Sequence, residues 1–152
     1  MPVATSLAMT SATTKVYLAV GQTPATYDAA GFAALSWQIL PDITNIGQLG
    51  GTTTVVNHIP VDTAAVVKRA GSVNYGTLQL TGARSTSSAL DGVRTAFTSR
   101  LSTPCKIVYP AALGQTDYFT GIVTTNQTNV GTADQILGFN FTFDIDNSII
   151  TV

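Results

Sequence analysis

At 152 residues and 45% hydrophobic content, the chain is long enough to close one core and too short for two. Only 10% of residues are charged, none is glutamate, and the formal net charge is −1, against ~25% charged residues in ordinary soluble domains. One cysteine, Cys105, excludes an internal disulfide, and one histidine, His58, leaves too few soft ligands for a zinc site.

Threonine fills the polar surface with 25 copies, and its β-branched side chain suits a pleated, half-exposed strand, so the composition predicts a mainly β protein. A surface so poor in charge has little electrostatic protection against self-association, which reads as a surface meant to be covered by neighbours. The start, "MPVATSLAMTSATTK", lacks the basic and apolar regions of a signal peptide, and no run reaches membrane-spanning length. The expectation is a protein that works in a cytoplasm or in something assembled there.

Residues 1–14 are small, polar and nonperiodic, the composition of a loose arm on a single domain spanning 1–152. "KVYLAV" predicts a first strand with Val16, Leu18 and Val20 on one parity, followed by a loop over 22–31. "LSWQILPDITNI" aligns Leu35, Trp37, Ile39 and Ile43, a strand interrupted by Pro41, with Trp37 expected in the core. Residues 47–71 sustain no period and read as a long loop, a feature often functional or ordered by a partner. "SVNYGTLQLTG" resumes the two-residue period through Leu78 and Leu80.

A helix is predicted over 87–101, where Leu90, Val93, Phe97 and Leu101 recur at three- and four-residue spacing, and Phe97 is expected in the core. Serine N-caps precede it, Asp91 and Arg100 suit its dipole, and Pro104 follows it. "CKIVYP" is a short strand. "DYFTGIVTTNQT" and "DQILGFNFTFDID" are long ones and predict a hairpin over 117–128 and 135–146. In the second, Phe139, Phe141 and Phe143 share a parity and are expected to be core, while Asn140, Thr142, Asp144 and Asp146 share the other.

No phosphate loop, dinucleotide fingerprint, nucleophile elbow or zinc-protease motif occurs. His58 near Asp62 and the pair Asp144 and Asp146 are the remaining candidates for catalysis, and both read better as structure or interface. Neighbouring strand residues point to opposite faces, so Lys106 does not activate Cys105. The basic residues Lys68, Arg69, Arg84, Arg94 and Arg100 are not interleaved with aromatics, which argues against specific nucleic-acid binding. No enzyme activity, cofactor or metal is expected.

The order of "TTKVYLAVG", a tryptophan strand, a long loop, a Gly-rich strand, one helix ending near "AFTSRLS" and then "CKIVYPAALGQTDYFTGIVTTNQT" resembles the tail tube proteins, or major tail proteins, of long-tailed bacteriophages over residues 15–152. The resemblance implies a β-sandwich or barrel-like fold of two antiparallel sheets with one packed helix, six copies forming a ring, and rings stacking into a hollow tube with a continuous inner β-barrel. It implies that the 117–128 and 135–146 hairpin joins that barrel and that the 47–71 loop reaches an adjacent ring, with Gly50, Gly51, His58, Val61 and Asp62 as candidate contacts. The implied partners are further copies of the chain, tail terminator, tail tip or initiator and tape measure proteins, with DNA passing through unbound and no membrane. The implied setting is a virion assembled in a bacterial cytoplasm.

Residues 117–146 contain four aspartates and no lysine or arginine. A lumen lined by Asn140, Thr142, Asp144 and Asp146 is therefore expected to be neutral to acidic, which favours sliding of DNA over sticking. The nearest alternative is the tube protein of a contractile tail or type VI secretion-like system. A more distant one is a monomeric carbohydrate-binding β-sandwich using Trp37 or tyrosines as its platform.

Overall fold

The computed structural model describes residues 8–152; of the expected N-terminal arm, residues 1–7 lie outside the described residues. The strands are β1 (Lys15–Leu18), β2 (Gln38–Ile39), β3 (Ile43–Ile46), β4 (Thr52–His58), β5 (Val67–Asn74), β6 (Thr77–Ala83), β7 (Thr103–Val108), β8 (Thr116–Asn129), β9 (Gly138–Ile145) and β10 (Ile150–Thr151), with helices α1 (Ala29–Ala33) and α2 (Ser88–Ser99). Eight strands form one antiparallel sheet in the order β2-β1-β7-β8-β9-β6-β3, with β10 also on β8, and β4 pairs with β5 alone.

Strands β2 and β3 are the opposite ends of that order, yet only residues 40–42 separate them. Four Cα steps reach at most ~14 Å, so the sheet must fold back until its two ends lie side by side. The corner is Leu40-Pro41-Asp42: Leu40 N–H donates to Val16 O, and Asp42, in the left-handed region at φ 56°, accepts from Ala83 N–H through its carbonyl. Pro41 thus splits the predicted tryptophan strand into two strands at opposite edges. The parity reading fails there, since Leu40 is buried and Ile39 is 47% exposed.

The longest strand, β8, carries both halves of the fold. Residues 116–121 pair with β7, and from Gly121 onward the strand pairs with β9. A Cβ at Gly121 would lie 3.0 Å from Asp144 O, so only glycine lets the crossover pack this tightly. Between the two halves lie Val16, Leu18, Leu78, Leu80, Cys105, Ile107, Phe119, Val123, Phe139, Phe141 and Phe143, all buried.

Helix α2 closes one flank of that core. Ser87 caps its start by accepting from Ala89 N–H, and Arg100 ends it in the left-handed region, donating its N–H to Ala96 O. Its buried stripe is Ala89, Leu90, Val93 and Ala96. Phe97 and Leu101 are 42% and 68% exposed, which corrects the expectation of a core Phe97. The stripe turns one residue earlier because small side chains let the helix approach closely: a Cβ at Gly92 would stand 2.9 Å from a Val20 methyl.

Two further expectations change. The region read as a loop over 22–31 ends in the one-turn helix α1, capped by Asp28, whose carboxylate accepts from Gly31 N–H at 2.7 Å. Trp37 is half-buried and lies outside the main core, against Tyr118 and beside the Lys106 ammonium, with its indole N–H donating to Phe32 O. It belongs to a satellite cluster in which Phe32 stacks on Tyr118 at 5.4 Å and meets Tyr27 edge-on.

The two phenylalanines at issue separate under mutation. Phe141→Asp places a carboxylate in a fully buried site and is expected to yield no soluble native protein. Phe97→Asp is expected to fold with unchanged circular dichroism and a stability loss below ~1 kcal/mol in urea.

Candidate functional site: a polar sheet face with open edges

Four neighbouring strands, β3, β6, β9 and residues 122–129 of β8, form one half of the fold. Their inner parity supplies the core, so their outer parity is fixed by the two-residue period. Register places Thr77, Asp144 and Ile122 in one row of the outer face, then Gln79, Thr142 and Thr125. Asn45, Thr81, Asn140 and Gln127 follow, and Ala83, Gly138 and Asn129 complete the face. No lysine or arginine occurs in these rows, and Asp144 is the one carboxylate.

The side chains hold one another across the strands. Gln79 Nε2 donates to Asn140 Oδ1 at 3.1 Å, and the face is hollowed into an open groove of about 760 Å³ bordered by Thr44, Thr81, Gln127, Asn129 and Asn140. Of the four residues expected on this wall, Asn140, Thr142 and Asp144 share it. Asp146 lies past the end of β9, where its carboxylate accepts from Thr120 Oγ1 at 2.5 Å. Carboxamides and hydroxyls rather than acids therefore dominate the surface. Sequence parity found Asn140 and Thr142 but missed Gln79, Asn45 and Gln127, which come from strands distant in the chain.

Both lateral edges of this half are open. On β3, one side pairs with β6, and among the described residues no strand pairs with the other, where residues 11–14 and 43–46 line one cavity. On β8, strand β7 stops opposite Gly121, and β9 and β10 follow the opposite side, so among the described residues 122–129 have no strand on the side that β7 vacates. An open apolar groove of about 630 Å³ runs beside this edge, lined by Phe97, Thr98, Arg100, Ile122, Val123 and Thr124.

The segment expected as a 47–71 loop is instead mostly the two-stranded ribbon β4–β5, exposed almost throughout. The period is invisible in its sequence because neither face is buried, so no core demands alternation. The five residues assigned to it do not form one cluster. Gly50 and Gly51 sit at the root, His58 ends β4 opposite Val67, and Val61 and Asp62 lie in the tip, where Val61 is fully exposed. Ile59 and Val66 flank the tip and are 59% and 53% exposed.

At the far end of β8, the buried Asp117 carboxylate accepts from Tyr109 Oη at 2.8 Å, Thr151 Oγ1 at 2.7 Å and Gln115 Nε2 at 3.2 Å. Burial and this carboxylate raise the Tyr109 phenol well above its usual range. The network pins β10 to β8 and anchors the strand whose other end is open. Burial also lowers the Lys106 ammonium below its ordinary value, 4.3 Å from the Tyr17 ring. Burial pushes the Cys105 thiol far up, against the lowering effect of a backbone hydrogen bond at Lys106, so it is an inert core residue. Among the described residues no cluster of three potential metal ligands occurs, and no helix is long and apolar enough to cross a membrane.

No family model and no curated protein matches the sequence. Solved structures do match the fold. A chain of the anti-feeding prophage baseplate, solved as a 6-fold symmetrised assembly, superposes with a TM-score of 0.72 at 15% identity, covering 97% of each chain. A chain of the sheath/tube terminator of the PVC extracellular contractile injection system gives 0.68 at 10% identity over 98% of this chain and 99% of that one. The SPP1 tail tube gives 0.62 at 10% identity over 91% of this chain and 75% of that one. The chain thus has the fold of the SPP1 tail tube, shared with these chains of the anti-feeding prophage baseplate and the PVC sheath/tube terminator, and its mainly β, antiparallel character agrees with the resemblance seen in the sequence.

A face without cations gives duplex DNA nothing to exchange for its counterions. Adding Gln79→Lys and Asn140→Lys together is expected to create DNA binding that weakens with salt, with a slope of log K against log salt steeper than the parent's by roughly 0.9 per added contact. Fluorescence anisotropy of a labelled duplex across a salt series measures the difference.

Proposed function

We infer that the chain is the structural subunit of a hollow tail tube, in a phage or a phage-derived injection system. The observation that carries this reading is the four-stranded half-fold: buried on one face, polar and almost uncharged on the other, and open at both lateral edges. Because it has four antiparallel strands, β3 of one copy meets residues 122–129 of the next in antiparallel sense, and the alternation continues around a ring. Closing the ring removes every open edge of the wall and turns the polar rows toward a lumen.

The tail tube fold supports the same reading across nearly the whole chain. The 6-fold symmetry in the description of the baseplate neighbour supports six copies per ring. The β4–β5 ribbon leaves the body as an exposed arm with an apolar tip, which suits contact with an adjacent ring. In that assembly DNA slides past carboxamides and hydroxyls, and the charge of the wall is one Asp144 per copy. Terminator, tip and tape measure proteins would be the further partners. A contractile-system tube is the second reading, favoured by the anti-feeding prophage and PVC neighbours.

Electron microscopy of the purified protein over a concentration series, with light scattering on the same samples, tests the reading. Rings or hollow tubes are expected, from the protein alone or once a tail initiator complex is added. A species that stays monomeric at every concentration, and also when mixed with a tail initiator complex, would overturn it. Ile122→Asp is expected to leave the monomer folded and raise the concentration needed for rings at least ~10-fold, equivalent to ~1.4 kcal/mol of lateral contact. Ile59→Asp with Val61→Asp is expected to leave rings but abolish stacking. Asp144→Lys is expected to assemble and to slow DNA delivery, read as lowered infectivity at equal particle number.

A further inference from the structure

Register is broken at three places, two of them at an extra threonine, and a threonine hydroxyl spans each break. On β3, Ile43 pairs with Gly82 and Asn45 with Thr81, leaving Thr44 as an extra residue. On β8, Val123 pairs with Phe143 and Thr125 with Thr142, leaving Thr124 extra. In the ribbon, Thr53 pairs with Val73 and Val55 with Ala70, so the extra residue lies on β5, where Gly71 and Ser72 face the single Thr54. In each case the threonine hydroxyl donates to a carbonyl of the paired strand at 3.3 Å: Thr44 to Thr81 O, Thr124 to Thr142 O and Thr54 to Ser72 O.

The placement is selective. Every open-edged strand longer than two residues has such a break in its pairing, whereas the pairings of β1 with β7, of β7 with the enclosed residues 116–121 of β8, and of β6 with β9 run in unbroken register. A bulge interrupts the two-residue period of outward-facing N–H and C=O groups, so a regular strand arriving at the edge can satisfy the groups on one side of the break only. On β8 the available edge is divided into residues 122–123 and 125–129, and on β3 into residue 43 and residues 45–46.

We propose that the threonine-latched bulges at Thr44 and Thr124 are edge guards that keep the free subunit from accepting a strand of another copy, so that joining requires a geometry imposed by an already assembled neighbour. Thr44 and Thr124 each tie the extra residue to the enclosed strand, and this bond holds the edge in its interrupted form. The low charge of the chain makes such a guard necessary, because the usual edge protection by lysine or inward-pointing charge is missing from β3 and from residues 122–129 of β8. The proposal rests on the tube reading for the identity of the arriving strand, a second copy of this chain.

The test measures strand addition directly and does not require tubes. A labelled peptide with the sequence of residues 41–48, carrying β3, is titrated into dilute monomer and followed by anisotropy. A second peptide, residues 121–129, probes the β3 edge. Thr124→Val for the first peptide and Thr44→Val for the second remove the latch at constant shape, and Thr77→Val adds the same methyl on an enclosed strand as a control. Binding at least about fivefold tighter than the parent in each latch variant, with the control unchanged, is expected from loss of one net hydrogen bond. Equal affinity of parent and latch variants overturns the guard, as does an equal gain in Thr77→Val. Tube formation by the parent, read separately by electron microscopy, tells failure of the guard from failure of the tube reading.

Discussion

The open strand edge is the constraint around which this fold is arranged. A backbone N–H or C=O at an edge has to be paired, solvated or disguised, and a chain with so few charged side chains has given up the commonest disguise. The sheet first minimises its edges by folding back, so that β2 and β3 meet at the Leu40-Pro41-Asp42 corner. It pins a second strand, β10, through the Asp117 network. What remains open is concentrated on β3, on the far half of β8 and on the ribbon. Those are the strands that carry bulges.

Threonine connects composition to this arrangement. It is a strand former that brings a hydroxyl without a charge, so it can line an exposed face, satisfy a stray carbonyl and leave the net charge untouched. Thr142 shows the first role on the polar face, and Thr44 and Thr124 show the second at the edges. The same residue type therefore supplies a neutral wall and the local irregularities of its border.

How far the sequence could be read depended on whether a core enforced a period. Phe139, Phe141 and Phe143 are buried on one side of a pleat, and their alternation was legible in ten residues. The β4–β5 ribbon has no buried face, so "TTTVVNH" shows no alternation and passes for a loop. The helix was legible but its face was misplaced, because its backbone approaches Val20 closely at Gly92 and the buried face runs through Ala89, Leu90, Val93 and Ala96. Trp37 was misassigned because Pro41 redirects the chain two residues after the end of the short strand β2. At the candidate site, one residue of each row was legible from β9 alone, and the others depend on register with β3, β6 and β8, which no local pattern contains.

The corner at residues 40–42 also has a mechanical meaning. It ties the last strand of one layer to the last strand of the other by a three-residue link whose middle member has a nearly fixed φ. A pull on β3 is therefore passed to β2 with little slack, and from there through β1 and β7 into the middle of β8. Stress applied at the border of the polar wall returns to the wall's own longest strand, so the two layers share load as a closed hoop does rather than peeling apart one strand at a time.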